Sequence, residues 1–213
     1  MPAASTVIRQ RNPRGQGCRL RHEIMAGAAA ILERTGNEND VTLRAVAREI
    51  GISAQSIDRH FANPAQIVDA VVADQLNTLA EQLNTAAASS TDPAENLHAA
   101  ARAYLAFGRA HPNRYRVLFE QRFLPNWEQQ GLAITATAPL MASTFTTLTD
   151  LLQACIDTGR STATDANTAV VAIWLTLHGM IALPAAITTI AWPNLDTILH
   201  TTITTHAGLT TRH

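Results

Sequence analysis

The sequence feature that most limits the fold is a long run without charged residues. Between Ala166 and Leu195 the chain has no Asp, Glu, Lys or Arg. A stretch of about 20 apolar residues is long enough to cross a bilayer. However, this run includes several threonines, Pro184 and Pro193, and no basic cluster flanks it. A helix buried on most sides inside a protein has the same composition. We therefore expect a buried helix in a protein that does not enter the membrane.

Helical periodicity extends along most of the remaining chain. From Arg19 onwards, apolar residues recur at helical spacing, and no strand-like alternation rises above noise. Glycines at 36, 51 and 159 predict helix ends, and prolines at 64, 93 and 112 predict helix starts. With 213 residues, 46% of them hydrophobic, the chain can bury a substantial core. We predict an all-α fold of about nine helices, with Pro184 and Pro193 marking the boundary between the last two.

The charges are distributed unevenly along the chain. Residues 1–62 hold nine Arg and six Asp or Glu, whereas residues 63–213 hold seven Arg and eleven Asp or Glu. A basic front on an acidic body suggests a polyanionic partner for the front alone, and a solvated basic tail is the alternative. Residues 1–18 contain prolines and glycines without periodicity, so we interpret them as a flexible basic arm.

Known catalytic and metal-binding patterns are absent from the sequence. The two cysteines, Cys18 and Cys155, lie far apart, and no Cys or His spacing typical of metal ligands occurs. No nucleophile elbow, phosphate-binding loop or pair of carboxylates is present either. The sequence therefore predicts a protein that is not an enzyme and has no metal or cofactor. Free thiols and the lack of a signal peptide predict a cytoplasmic location.

The segment "VTLRAVAREIGIS" has the pattern of a helix-turn-helix. Thr42 is a good N-cap, and Leu43, Val46, Ala47 and Ile50 form one apolar face. Gly51 ends this helix, and Ser53 is placed to cap a second, short helix. Two helices joined by a glycine-containing turn within about 20 residues form the DNA-reading arrangement of this motif.

Residues 20–79 resemble the N-terminal domain of the TetR (tetracycline-repressor-like) transcription regulators. The resemblance rests on "VTLRAVAREIGIS", the following "RHF" and a long amphipathic helix. The run "IWLTLHGMIAL" adds Trp174, His178 and Gly179, which resemble the W-x-x-x-H-G helix of a subset of TetR-type C-terminal domains. The resemblance implies a DNA-binding domain over 19–65 and a ligand-binding and dimerisation domain over 66–213. It also implies a homodimer that binds a double-stranded palindromic operator as a repressor and is released by a small-molecule effector.

The residues expected to contact DNA lie on the two helices of the motif and just after them. We expect Thr42 and Arg44 to approach phosphate, and Gln55 suits bidentate reading of adenine. Arg59 is placed for guanine or phosphate, and His60 belongs to the local scaffold with a possible phosphate contact. The full predicted set is Thr42, Arg44, Ser53, Ala54, Gln55, Ser56, Arg59 and His60.

Two positions depart from the family pattern. The family usually has a tyrosine where this chain has Asp58, and a lysine where it has Pro64. A carboxylate about 4 Å from a phosphate costs roughly 1 kcal/mol in water. An ion pair with Arg59, or the basic arm, would offset that cost. The alternative function is therefore a small-molecule-binding dimer whose specific DNA binding is weakened or lost.

Residues of the C-terminal domain are assigned to an effector pocket and to a dimer interface. The candidates for a pocket that holds an apolar or aromatic effector are Tyr104, Phe107, Phe119, Trp127, Met141, Trp174 and His178. For His178, contact with a partner subunit, contact with a ligand and a satisfied place in the core all remain open. The candidates for the dimer interface are Ile173, Leu177, Gly179, Ile198, Leu199, Thr202, Ile203 and His206.

Overall fold

The computed structural model describes residues 17–119 and 138–210. In these ranges the chain forms nine α-helices and one short 3₁₀ turn. The helices are α1 Gly17–Thr35, α2 Leu43–Ile50, α3 Ala54–Ile57, α4 Pro64–Ala87, α5 Pro93–Ala110, α6 Pro112–Arg116, α7 Ala138–Asp157, α8 Ala166–Ala186 and α9 Leu195–His206. The all-α prediction is confirmed. The predicted basic arm lies almost entirely outside the described residues.

The chain divides into two compact units, and the boundary between them lies between Val71 and Val72. The division falls inside α4 and not at its start, so the first two turns of this helix belong to the N-terminal unit. The core of that unit is mainly aliphatic, with Phe61 as an aromatic member, and is built by α1, α2, α3 and the start of α4. Its fully buried side chains include Ile24, Val46, Ile57 and Ile67.

In the N-terminal unit, α1 and α2 approach each other closely at Gly27. A Cβ atom at this position would lie 2.5 Å from Cγ2 of Ile50 on α2. Gly51 then ends α2 with φ of 68°, a left-handed conformation that glycine adopts without steric cost. These two glycines allow three helices to pack within a segment of about 40 residues.

In the C-terminal unit α5 is the central helix. It packs against α7, α8 and α9, and its buried face includes Leu97, Tyr104 and Leu105. At Gly108 it meets α8 so closely that a Cβ atom would overlap the side chain of Ile181. A glycine is therefore needed for this helix crossing.

The end of the described chain is bound back to α5 by Arg160. Its guanidinium donates two hydrogen bonds to Asp92, at 2.9 and 3.3 Å, and a third to the carbonyl of Thr210 at 2.6 Å. Asp92 is only 8% exposed and also caps α5 by accepting from the N–H of Ala94. One buried carboxylate thus joins the start of α5 to the connection between α7 and α8.

One helix boundary differs from the prediction. Helix α8 continues through Pro184 to Ala186, whereas the sequence had placed a helix end at this proline. Pro184 lies in the last turn, where losing its N–H removes only one hydrogen bond, and Ile187 N–H still bonds to the carbonyl of Leu183 at 2.8 Å. The helix therefore tolerates the proline and ends two residues after it, at Ala186.

Candidate functional site

The first helix of the predicted motif begins at a well-formed cap. Thr42 has an extended backbone, and its hydroxyl oxygen accepts a hydrogen bond from Ala45 N–H at 3.1 Å. The side chain is exposed. Its hydroxyl proton is available to a neighbouring group, and a helix N-terminus favours an anion there. The local geometry suits a phosphate contact by Thr42.

The residues predicted to contact DNA lie at the start of α2, on α3 and directly before and after α3. Arg44, Ser53, Gln55 and Arg59 are exposed. Ala54, Ser56 and His60 of the same predicted set are half-buried. These residues are accessible, and their DNA contacts stay a prediction.

Ser53 precedes α3 but does not form the side-chain cap that the sequence suggested. It occupies the N-cap position with an extended backbone but makes no side-chain hydrogen bond to the helix backbone. Its hydroxyl instead pairs with the hydroxyl of Ser56 at 2.8 Å. Each hydroxyl can still donate or accept one further bond, so the pair presents polar atoms at the exposed start of α3.

Asp58 is exposed at the end of α3. Within the described residues it forms no ion pair, neither with Arg59 nor with any other cation. The screening pair with Arg59 that the sequence suggested is therefore not formed. The carboxylate remains an anomaly on a surface expected to face phosphate.

Arg21 on α1 supports residues 53–61, which include α3 and several of the residues predicted to contact DNA and which we call the recognition segment. Sequence reasoning missed this role. Its guanidinium carbon lies 4.2 Å from the centre of the Phe61 ring, and Nη1 donates to the carbonyl of His60 at 3.2 Å. Phe61 is 2% exposed and anchors this stretch in the core. A cation stacked on a buried aromatic ring, together with a backbone hydrogen bond, fixes the position of His60.

The connection from α3 to α4 is pinned at Pro64. Asn63 accepts a hydrogen bond from Gln66 N–H at 3.0 Å, and the side-chain oxygen of Gln66 accepts one from Ala62 N–H at 2.9 Å. This reciprocal arrangement is a variant of the capping box. Pro64 occupies the first helical position, as predicted, where its missing N–H costs nothing.

In the C-terminal unit, four side chains from three helices form one hydrogen-bonded chain. Trp174 Nε1–H donates to the Tyr104 hydroxyl at 3.0 Å, which lies 3.2 Å from the Tyr115 hydroxyl. The Tyr115 hydroxyl in turn lies 2.6 Å from Nδ1 of His178. Phe119 packs edge-on against the imidazole, with ring centres 4.4 Å apart. We call Tyr104, Tyr115, Trp174 and His178 the aromatic cluster.

Burial sets the protonation states in the aromatic cluster. It raises the pKa of Tyr104 to about 12, raises that of Tyr115 as well, and lowers that of His178. At neutral pH the phenols are protonated and the imidazole is neutral. Tyr115 can then donate to Nδ1 of His178, which leaves the proton on Nε2. Nδ1 of His178 thus accepts a hydrogen bond within the cluster, and Nε2 carries the proton and can act as a donor.

The residues predicted to line the effector pocket do not all lie together. Tyr104, Phe119, Trp174 and His178 meet in the cluster, whereas Phe107 lies in a different cavity between α4 and α5. Trp127 lies outside the described residues, and of Met141 only the backbone, in α7, is described. Sequence reasoning missed Tyr115, although "NRYRVLF" placed it on a helix, and Phe145, whose ring centre lies 5.1 Å from that of Trp174.

The proposed dimer residues divide between core and surface. Ile173, Leu177, Leu199 and Ile203 are at most 2% exposed within a single protomer, and Thr202 is 9% exposed. These residues are buried within a single protomer, and their place in a dimer interface stays a prediction. Gly179 and Ile198 are half-buried, and His206 is exposed.

Helix α8 also carries an exposed apolar face that the sequence did not separate from its buried one. The exposed fractions are 45% for Val171, 59% for Leu175 and 47% for Leu183. By length and composition α8 is the one helix among the described residues that meets the criteria for a membrane span, which is weak evidence by itself. Only 28% of its most apolar window is buried within the single chain, so the burial that the sequence predicts is not reached within one protomer.

Comparisons with known proteins give the family and the fold. A family model, the tetracyclin repressor-like C-terminal domain, matches residues 97–205. The nucleoid occlusion factor SlmA of Vibrio campbellii is 26% identical over 98 residues, which cover 46% of this chain and 50% of that protein. The chain thus spans about half the length of the curated relatives it matches.

Solved structures resemble the chain over nearly its full length. A protein of unknown function from Rhodococcus sp. RHA1 has a TM-score of 0.77 and 23% identity, covering 93% of this chain and 99% of that one. The regulator FadR of Bacillus subtilis, in complex with stearoyl-CoA, has a TM-score of 0.70 and 13% identity, covering 87% and 97%. At these identities the likeness shows the shared fold alone.

The family model covers just over half of the chain, and it covers the C-terminal unit, where the sequence resemblance was weaker. The N-terminal unit independently has the helix-turn-helix expected of the family. This chain therefore belongs to the tetracycline-repressor-like family, a family of transcription regulators and not of enzymes.

Proposed function

We propose that this chain is a cytoplasmic, ligand-responsive transcription regulator that binds a palindromic DNA operator as a homodimer and represses until an effector releases it. The observation that carries the proposal is the exposed helix-turn-helix, in which Arg44, Gln55 and Arg59 are accessible and α2 is capped at Thr42. Cationic and amide side chains on such a segment supply phosphate contacts and base reading, respectively.

Gln55 is the residue we propose for sequence reading. It is exposed in the first turn of α3, where the side chains of a recognition helix reach base edges. Its amide suits bidentate contact with adenine, and one such contact discriminates by about 1–3 kcal/mol. Arg44 and Arg59 are the proposed phosphate contacts, whose loss should weaken binding to all sequences alike.

The exposed apolar face of α8 supports the homodimer. Val171, Leu175 and Leu183 are unusually exposed for side chains of their size, and a second copy would cover them. Gly179 lies on the same helix, and a Cβ atom there would come no closer than 3.9 Å to Leu183. Packing among the described residues does not require this glycine, whereas the close approach of a partner helix would. A two-fold dimer implies a palindromic operator.

Selection of genomic DNA fragments by the purified protein tests the function. We expect enriched fragments to share an inverted repeat, and Gln55→Ala to lower their affinity about tenfold or more. Gln153→Ala, at an exposed position on α7, is the matched control and should change nothing. Lack of enrichment over a Gln55→Ala, Arg59→Ala double variant would refute the proposal.

Light scattering tests the dimer. Leu175→Glu places a charge on the exposed apolar face and should produce monomers at micromolar concentration. Asn77→Glu adds the same charge at an exposed position on a different helix, α4, and should leave the dimer intact. If both variants stay dimeric, the interface lies elsewhere.

A second candidate function rests on Asp58, which is exposed and makes no ion pair among the described residues. A carboxylate facing phosphate weakens DNA binding. The chain would then be a ligand-binding dimer without specific DNA recognition. Fragment selection separates the two functions, because the second predicts no shared repeat.

A further inference from the structure

The hydrogen-bonded chain of the aromatic cluster has a fixed direction. The indole nitrogen of Trp174 can only donate, so the Tyr104 oxygen accepts from it at 3.0 Å. Among the described residues, the Tyr104 hydroxyl has one acceptor within reach, the Tyr115 oxygen at 3.2 Å. The Tyr115 hydroxyl then donates to Nδ1 of His178 at 2.6 Å. In this direction every hydroxyl proton of the cluster has an acceptor.

The opposite direction leaves a buried proton without an acceptor. If Nδ1 of His178 carried the proton and donated to Tyr115, the Tyr115 hydroxyl would have to donate to Tyr104. The Tyr104 proton would then lack an acceptor in the described part of the chain. Tyr104 is 0% exposed, so bulk water cannot replace that acceptor. The unsatisfied donor disfavours the reversed chain roughly 5- to 150-fold. Tyr115 therefore keeps the imidazole proton on Nε2.

The Nε2–H of His178 is an accessible donor that the fold leaves unused. Within the described ranges His178 makes no second hydrogen bond, and Nε2 is not one of the buried polar atoms without a partner. The side chain is half-buried, and its accessible part therefore includes this nitrogen. A molecule at the surface of the cluster can reach the Nε2–H.

Aromatic rings lie next to this donor. The ring centre of Trp174 lies 5.0 Å from that of His178 and 5.1 Å from that of Phe145. All three side chains are half-buried, so their rings form one partly accessible surface. Phe119 is 1% exposed and supports the imidazole from the core side, edge-on. A flat apolar ring can pack on such a surface.

The surroundings of His178 favour a neutral ligand. Burial lowers the pKa of His178, and no charged group among the described residues contributes to that shift. A ligand carboxylate would lose water at this surface without meeting a cation, which is costly. A neutral acceptor, such as a ketone or amide carbonyl, suits a neutral N–H donor beside apolar rings.

We propose that His178 Nε2–H is the polar anchor for a neutral ligand that carries a carbonyl on a flat apolar ring, and that Tyr115 is the positioning residue that holds the imidazole in the donating tautomer. The role of this ligand as effector rests on the proposed function. The tautomer and the binding do not, because they require neither DNA nor a partner chain.

Nitrogen NMR of the imidazoles in the full chain tests the tautomer, at about pH 8, where histidines are neutral. The signals of His178 are those that disappear in His178→Gln. We expect the native His178 to carry its proton on Nε2. Tyr115→Phe should lower the ratio of the Nε2–H to the Nδ1–H form at least about fivefold. A purely structural role of Tyr115 would leave this ratio unchanged.

Titration of the full chain with acetophenone, followed by NMR or calorimetry, tests the ligand. Acetophenone carries a carbonyl on a flat ring, and a fragment of this size should bind with a Kd of about 1 mM. Ethylbenzene has the ring without an acceptor, and benzoate has a charged acceptor. Both should bind at least about fivefold more weakly.

Two substitutions of His178 make the test specific. His178→Leu removes the donor and should weaken acetophenone binding about tenfold. His178→Gln supplies an amide N–H near the position of Nε2 and an oxygen that can accept from Tyr115, and should keep the affinity within about threefold. The control His98→Leu makes the same change at another half-buried histidine of the C-terminal unit, on α5, and should have no effect.

Three outcomes would overturn the proposal. They are a native His178 with its proton mainly on Nδ1, equal binding of acetophenone to the native chain and to His178→Leu, and no acetophenone binding at about ten times the expected Kd. If acetophenone binds as expected but fragment selection finds no operator, the site stands and the regulator function falls. If an operator is found but acetophenone does not bind, the reverse holds.

Discussion

The Tyr115 hydroxyl joins three helices, and its removal gives a direct test of the aromatic cluster. The oxygen lies 3.2 Å from the Tyr104 hydroxyl on α5 and 2.6 Å from His178 Nδ1 on α8. Tyr115→Phe deletes this single atom and keeps the ring, whose centre lies 4.5 Å from that of Phe119. The substitution therefore removes hydrogen bonds with little change in packing.

The expected loss of stability follows from the hydrogen bonds that are removed and from the buried groups that are left without a partner. Two hydrogen bonds disappear, each with a net contribution of about 1 kcal/mol. The buried hydroxyl of Tyr104 loses its acceptor, and Nδ1 of His178 loses its donor. Groups left in this state cost about 1–3 kcal/mol each. Allowing for partial relaxation, we expect a destabilisation of about 2–4 kcal/mol, or a decrease in Tm of roughly 5–15 °C.

Thermal unfolding at one protein concentration measures this loss, since the Tm of the proposed dimer would depend on concentration. Tyr104→Phe is the matched variant, because it removes the neighbouring hydroxyl of the same chain of bonds. The double variant should lose less than the sum of the two single losses, by about 0.5–3 kcal/mol. The hydrogen-bonded chain would be refuted if each single variant lost less than about 0.5 kcal/mol of stability and the double variant lost the sum of the two.

Three further predictions concern packing, pH and DNA affinity. Gly108→Ala places a methyl group into the side chain of Ile181 and should destabilise the protein by about 1–3 kcal/mol in thermal unfolding. Burial lowers the pKa of His178, so the unfolded chain, whose histidines titrate near 6.5, binds the proton more readily than the native protein. Stability should therefore fall as the pH drops below about 6.5, and less steeply in His178→Phe, in unfolding measured across pH. Asp58→Asn removes a carboxylate from the proposed phosphate-facing surface and should tighten operator binding about fivefold at low salt in a gel-shift assay. An unchanged affinity would mean that this carboxylate does not face phosphate.

Helix boundaries were largely predictable because glycine and proline act locally. Gly36, Gly51 and Gly159 have φ between 60° and 70° and end helices where the sequence predicted, and Pro64 and Pro93 start them. These effects depend on the residue and its immediate neighbours. The position of Pro184 was less clear, since a proline in the last turn of a helix costs little.

The candidate sites were less predictable, because they depend on which helices meet. Helical spacing placed Trp174 and His178 on one face, and they do share the aromatic cluster. No local pattern links them to Tyr115, 63 residues away from His178. Helix α8 is apolar on all sides, so periodicity could not separate its core-facing residues, such as Ile173, from its exposed ones, such as Leu175.

The reciprocal cap at Asn63 and Gln66 limits where the recognition segment can bend. Both hydrogen bonds of this cap would have to break before the loop after α3 could change its angle to the first turn of α4, at about 1 kcal/mol each. Together these bonds oppose such a change of angle by about 2 kcal/mol. If they hold, we expect a signal that reaches the start of α4 to turn the residues proposed to read the bases together with that helix.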